Sequence, residues 1–231
     1  MSYVFEAPKQ SVVPVRGTNA EFPVHRIYCV GRNYAGHAVE MGHSGREAPF
    51  FFCKPADAIV NVSYDGQAAF PYPSGSNNVH HEVELVIAIG RGGKNILAAT
   101  GLEHVYGYAV GLDMTRRDLQ NEAKKQGHPW DTSKAFDYSA PIGPIHPVSS
   151  VGNIAAGAIR LKVNDVLHQD SDISKLIWKV DEIIEHLSAL FELKPGDLIF
   201  SGTPAGVAAV TKGDVMTGSI AGLGTICVQV T

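Results

Sequence analysis

The chain reads as an α+β fold, a strand-rich mixed β-sandwich or β-roll, and three features lead there. Short apolar runs bounded by Gly, Pro, Asn and Asp recur from His25 to Val230, which is strand patterning. One stretch alone, Ser174–Leu193, carries a long apolar stripe at helical spacing, at 176, 177, 180, 183, 184, 187, 190 and 191. Strands and helices do not alternate regularly, which disfavours a doubly wound parallel sheet.

Taken in order, residues 1–24, with Pro8, Pro14 and Pro23, read as an extended N-terminal segment ahead of a single domain over 25–231. His25–Val30 is the first strong strand. Asn33–Met41 reads as a short helix capped by Asn33, and Gly31, Gly42 and Gly45 around it would let it move as a lid. Pro49–Lys54 and Ile59–Val62 are strands. After the polar loop 71–78 comes HHEVELVIAIG, then a strand at Val105–Leu112. A helix is expected over Thr115–Gln126, where Thr115 and Asp118 resemble a capping box with Asp in place of Glu. Strands at Ile159–Val163, Asp197–Ser201 and Thr225–Val230 surround the helix Ser174–Leu193, which Lys194-Pro195-Gly196 stops.

The chain has 231 residues, 45% of them apolar and 18% charged, with net charge −4, enough for one large soluble core. No basic stripe or block is interleaved with aromatics, which argues against nucleic acid as a partner. MSYVFEAPKQ lacks a signal-peptide core and no run approaches a membrane span, so a cytoplasmic location with no membrane partner is expected. Cys29, Cys53 and Cys227, odd in number and each in an apolar stretch, suit reduced core thiols.

Glu82 and Glu84 carry the most information. Alternate residues of a strand share a face, so their Cα atoms stand roughly 7 Å apart on one side while Val83, Leu85, Ile87 and Ile89 fill the other. Two buried like charges need a counter-ion or one must protonate. With Asp113 at the end of the next apolar run they form a three-carboxylate set suited to a hard ion, Mg²⁺ first, with Mn²⁺ or Ca²⁺ as alternatives. An ordinary solvated strand face is the competing reading.

Other candidates are scattered. His37 and Glu40, three apart, face the same way on a helix and could form a dyad that deprotonates water. His80 and His81 stay outside the metal shell, since His81 points away from the glutamate face. Arg117, Gln120 and Lys134 could converge on an anion near the metal, and Thr203 in SGTPAG could offer its hydroxyl and backbone N–H groups to a carboxylate. GRGGKN, Gly90–Asn95, lacks the spacing of a phosphate loop and reads as a turn.

CVGRNYAGH, HHEVELVIAIG, YGYAVGLDMTRRDLQ, SKAF, LKVND and GDLIFSGTPAGV occur here in the order found in the fumarylacetoacetate hydrolase family, which the chain resembles from about Ile27 to Val230. Within that family it is most similar to the short acylpyruvase branch, bacterial fumarylpyruvate hydrolases included. The resemblance implies the family's C-terminal-domain fold and a metal held by Glu82, Glu84 and Asp113. It also implies a His37–Glu40 dyad on a mobile lid, Lys134 in the active site, and Arg32, Arg117, Gln120 and Thr203 lining the substrate pocket. Longer members take a further aspartate ligand before the lid; IYCVGRNYAGH contains no acid, so the shell here should be three carboxylates plus water.

The implied activity is metal-dependent hydrolysis of a carbon–carbon bond in a 2,4-dioxo acid, foremost 3-fumarylpyruvate to fumarate and pyruvate, in gentisate-type aromatic degradation. Relatives are commonly dimers, which implies a homodimer. Two alternatives stay open: an oxaloacetate or 2-oxo acid decarboxylase, or dienol-acid tautomerase, using the same metal site, and a non-catalytic binding protein stabilised by a cation.

Overall fold

The computed structural model describes residues 3–34, 47–63 and 66–231. The lid, its helix over Asn33–Met41 and the pair His37 and Glu40 lie outside them, apart from the first residues 31–34. A mixed eight-stranded sheet forms the centre. Its strands run in the order Phe50–Lys54, Ile27–Gly31, Leu198–Phe200, Val83–Ile89, Val105–Leu112, Ala140–Ile142, Ile59–Asn61, and His146–Pro147 also pairs with Val105–Leu112. Leu198–Phe200 runs parallel to Ile27–Gly31, and Ala140–Ile142 parallel to Ile59–Asn61; the other pairs are antiparallel.

The glutamate strand Val83–Ile89 is buried along its whole length because both sheet faces are covered, as its unbroken apolar run requires. Val83, Leu85, Ile87 and Ile89 enter one core, beneath a five-stranded sheet with the order Val166–Asp172, Ala158–Val163, Val215–Ile220, Gly224–Val230, Gln67–Phe70. Val86 and Ala88 enter a second core with Ile27, Cys29, Leu198 and Phe200. That second core is closed by the N-terminal segment, which is a hairpin of Val12–Pro14 and Glu21–Pro23 burying Val13, Val15, Phe22 and Val24. Among the described residues no helix is long and apolar enough to cross a membrane.

Two helices are shorter than their patterning predicts. The stripe over Ser174–Leu193 yields a helix only at Val180–Leu190, which buries Ile183, Ile184 and Leu187, with Lys179 N–H donating to Glu182 Oε2 at its start. Upstream, Asp172 accepts from Ser174 N–H and a 3-10 turn covers Ile173–Lys175. Leu176 is then extended, and Asn33 takes the next two donors: its carbonyl accepts from Ile177 N–H at 2.9 Å and its Oδ1 from Trp178 N–H at 2.7 Å. A tertiary partner has replaced the helical bonds. Asn33's side chain also donates to Ser201 O and Trp178 O; the helix it was expected to cap lies outside the described residues.

Similarly, Thr115–Arg116 pairs with Val79–His80, so the second helix spans Arg117–Gln126. No capping box forms: Thr115 Oγ1 donates to Asp113 O and accepts from Lys134, and Asp118 accepts from Ser76 Oγ, Asn77 N–H and Leu119 N–H. The three cysteines are free thiols, but only Cys29 is buried. Cys53 is exposed because it points outward from the edge strand Phe50–Lys54, and Cys227 is half-buried beside Gln67.

Candidate metal centre

Antiparallel pairing builds the carboxylate cluster. Val83 lies opposite Leu112 and Glu84 opposite Gly111, and Asp113 N–H donates to Glu82 O at 2.8 Å, so the aspartate leaves the end of its strand beside the glutamates. One oxygen from each of Glu82, Glu84 and Asp113 lies within 4.8 Å of the others. The three are 6%, 2% and 1% exposed, so water cannot neutralise them. The solvated-face reading fails on that burial.

Cations do part of the work. Lys134 Nζ donates to Glu82 Oε2 at 2.8 Å, Asp113 Oδ2 at 2.6 Å and Thr115 Oγ1 at 2.6 Å, which uses all three ammonium protons. Lys54, at the end of its strand, lies 2.9 Å from Asp113 Oδ1, off the line of a hydrogen bond, and donates to the carbonyls of Met114 and Lys134. Arg117 pairs with Glu82 through Nη2, reaches His80 Nδ1 through Nε at 3.4 Å, and donates from Nη1 to Gln120 Oε1 at 2.5 Å. Burial would raise Glu82, but Lys134 and Arg117 outweigh it and hold its carboxyl far below the usual range.

Glu84 lacks such help. It accepts Gly202 N–H at 2.8 Å, while burial, then Asp113 and Glu82, push its carboxyl well above the ordinary value. A carboxylate short of positive charge beside two others fits a divalent cation at this point, and an all-oxygen donor set suits a hard one. Gly202 is required here: its φ is +97°, and a Cβ would come within 2.8 Å of Asn33 Cβ. Asn33 Nδ2 also donates to Ser201 O at 2.8 Å and Trp178 O at 3.0 Å.

The histidines stay outside the cluster. His81 Nδ1 meets Gln169 Oε1 at 3.0 Å, and His80 Nε2 meets Asn78 Oδ1 at 2.9 Å; burial pulls both imidazoles down to about 4. Thr203 lines the site, but its hydroxyl donates to Val83 O and accepts from Gln169 Nε2, both at 2.8 Å, so it has no proton left for a ligand.

Above the carboxylates lies a chamber of about 30 Å³, room for one small species, lined by Arg32, Glu82, Asp113, Arg117, Gln120 and Lys124 among others. Through Arg32, Phe52, Trp130 and Lys134 it adjoins a cavity of about 570 Å³ walled by Phe50, Phe52, His128 and Trp130. That volume is ordinary for a small-molecule site. Glu82, Glu84, Asp113, Lys134, Arg117, Gln120 and Thr203, expected from the sequence, and Arg32, implied by the resemblance, all meet here. Lys54, Lys124, Trp130 and Asn33's clamp were not expected. A signal existed for one: Arg117, Gln120 and Lys124 follow i, i+3, i+7 spacing, a polar stripe on one helix face.

The family model described as fumarylacetoacetate (FAA) hydrolase C-terminal matches residues 26–231. A fumarylpyruvate hydrolase from a Ralstonia species is 44% identical over 184 residues, covering 80% of this chain and 93% of that protein. A mitochondrial oxaloacetate tautomerase of Rattus norvegicus is 40% identical, covering 85% of this chain and 87% of its own. The crystal structure of fumarylpyruvate hydrolase from Pseudomonas aeruginosa in complex with Mn²⁺ and pyruvate superposes with a TM-score of 0.98 at 52% identity, covering 100% of this chain and 99% of the other.

Proposed function

Since the chain belongs to the fumarylacetoacetate hydrolase family, we propose that it is a metal-dependent hydrolase of carbon–carbon bonds that splits 3-fumarylpyruvate into fumarate and pyruvate. The observation that carries this reading is the buried Glu82/Glu84/Asp113 cage, incompletely neutralised at Glu84, beside a chamber that adjoins a ligand-sized cavity. Held by those three carboxylates, a divalent cation, foremost Mg²⁺, would supply Lewis-acid polarisation and charge neutralisation to a 2-oxo acid.

The chain's own residues do the rest. His37, oriented by Glu40, takes a proton from water, whose oxygen bonds to C4 of the substrate. The C4 carbonyl becomes an oxyanion. Gln120 is its donor: Arg117 holds the amide oxygen, which leaves Nε2 for the ligand, whereas the ammonium of Lys134 is fully committed. Collapse breaks the C3–C4 bond and releases fumarate, and the electron pair left on the pyruvyl fragment is quenched at C3 by the proton His37 carries. Lys134 and Arg117 keep Glu82 ionised throughout, and Lys134 and Lys54 stay paired with Asp113.

The test supplies purified protein and Mg²⁺ with fumarylpyruvate and, separately, oxaloacetate. Stoichiometric fumarate and pyruvate from the first is the expected result. Oxaloacetate turnover with no fumarate formed would overturn the hydrolase reading in favour of decarboxylation or tautomerisation.

A further inference from the structure

The inner chamber holds more positive charge than its carboxylates consume. Arg32, Arg117, Lys124 and Lys134 line it, against Glu82 and Asp113. Arg117 and Lys134 are tied to those two acids, while among the described residues Arg32 and Lys124 have no carboxylate partner.

Both free cations are positioned. Arg32 sits in the left-handed backbone region at φ 59°, a conformation unfavourable for a non-glycine residue, and its guanidinium carbon lies 5.3 Å from the Phe50 ring centroid. Its Nε is buried without a hydrogen-bond partner. Lys124 stands two helical turns after Arg117 and shares its face, with Nζ 5.3 Å from the Trp130 ring centroid. Burial, with the guanidiniums of Arg117 and Arg32, draws the Lys124 ammonium down to about 8, as befits a cation held without a counter-anion. Trp130 and Arg32 also border the larger cavity, so these charges stand where the chamber meets it.

We propose that Lys124, seated on Trp130 and working with Arg32, is an anion subsite for the distal carboxylate of a dicarboxylic 2-oxo acid, and that it sets preference for such acids over monocarboxylic ones. The assignment rests on the 2-oxo acid reading of the metal centre and deepens it. Arg117, bound to Glu82, His80 and Gln120, is excluded from that role. The first carboxylate belongs at the cage; the subsite measures whether the chain carries a second.

A pair of ligands that cannot be cleaved isolates the subsite from the reaction: 2-oxoheptanedioate and 2-oxoheptanoate, alike except for the terminal carboxylate. Calorimetric titration of the Mg²⁺-loaded protein should show the diacid binding on the order of 10- to 100-fold tighter, the range expected for a charge-assisted contact. Lys124→Met should erase that preference with 2-oxoheptanoate affinity unchanged, and Lys124→Arg should keep it. Equal affinity of wild type for both ligands, failure to bind either, or a preference surviving in Lys124→Met would overturn the subsite. Because no turnover is measured, an intact preference beside absent fumarylpyruvate cleavage would condemn the reaction and leave the subsite standing.

Discussion

Asn33 and Glu84 grip opposite edges of one peptide plane: Asn33 Nδ2 donates to Ser201 O, and the N–H of the same unit, on Gly202, donates to Glu84 Oε2, each at 2.8 Å. The unit is planar and trans, so fixing its carbonyl aims its N–H. Asn33 also holds Trp178 at both N–H and C=O. Asn33→Ala would remove one buried bond, to Ser201 O, and two part-buried bonds to Trp178, a loss of about 3 kcal/mol or a fall of roughly 6–12 °C in melting temperature. Calorimetry checks this, and divalent-cation affinity should weaken in parallel because Glu84 loses its fixed partner.

Gln120 presents Nε2 because Arg117 occupies its oxygen. Gln120→Ala should lower kcat about 100-fold, the usual effect of removing one oxyanion donor, while the cation-dependent rise in melting temperature is retained. Steady-state kinetics beside a thermal melt separates the two.

In the proposed reaction, cation binding and water activation fall on different segments. Saturating Mg²⁺ at 100 times its Kd should stabilise the protein by about 2.7 kcal/mol, roughly 5–10 °C at this chain length. Glu84→Ala should lose both that increment and turnover. His37→Ala and Glu40→Ala should keep the increment and lose turnover, and full activity in His37→Ala would remove the dyad from the mechanism.

Asp118 provides a pH signature away from the metal. Burial would raise its carboxyl, but bonds from Ser76 Oγ, Asn77 N–H and Leu119 N–H outweigh it and hold the group below its ordinary value. A folded-state pKa below the unfolded one contributes stability that is complete above the unfolded value, near 3.9, and disappears as pH falls through the folded value. Asp118→Asn should therefore melt below wild type at pH 6, with the gap closing as pH falls below about 4.

What was legible followed period. Alternation placed Glu82 and Glu84 together, and the ends of adjacent apolar runs placed Asp113 beside them, because local geometry settles both. Lys54 was hidden in PFFFCK, where the run reads as a plain strand and its acid partner lies in another segment. The break before Val180 was equally hidden: the apolar stripe runs on through Leu176 and Ile177, and it is Asn33, far away in sequence, that takes the donors a helix would have used. Thr203 was recognised as a pocket residue, but the commitment of its hydroxyl depends on Gln169 from the other sheet.

The floor and the wall of the site have separate origins. Glu82, Glu84 and Asp113 are fixed by pairing in the dry centre of the large sheet, where a change propagates into two cores at once. The wall comes from the edge strand carrying Phe50 and Phe52 and from the turn carrying His128 and Trp130. Under the proposed function such a division would make the scaffold evolvable: a lineage could exchange wall residues and acquire a new acyl preference one substitution at a time, while the three carboxylates that would hold the ion are inherited intact.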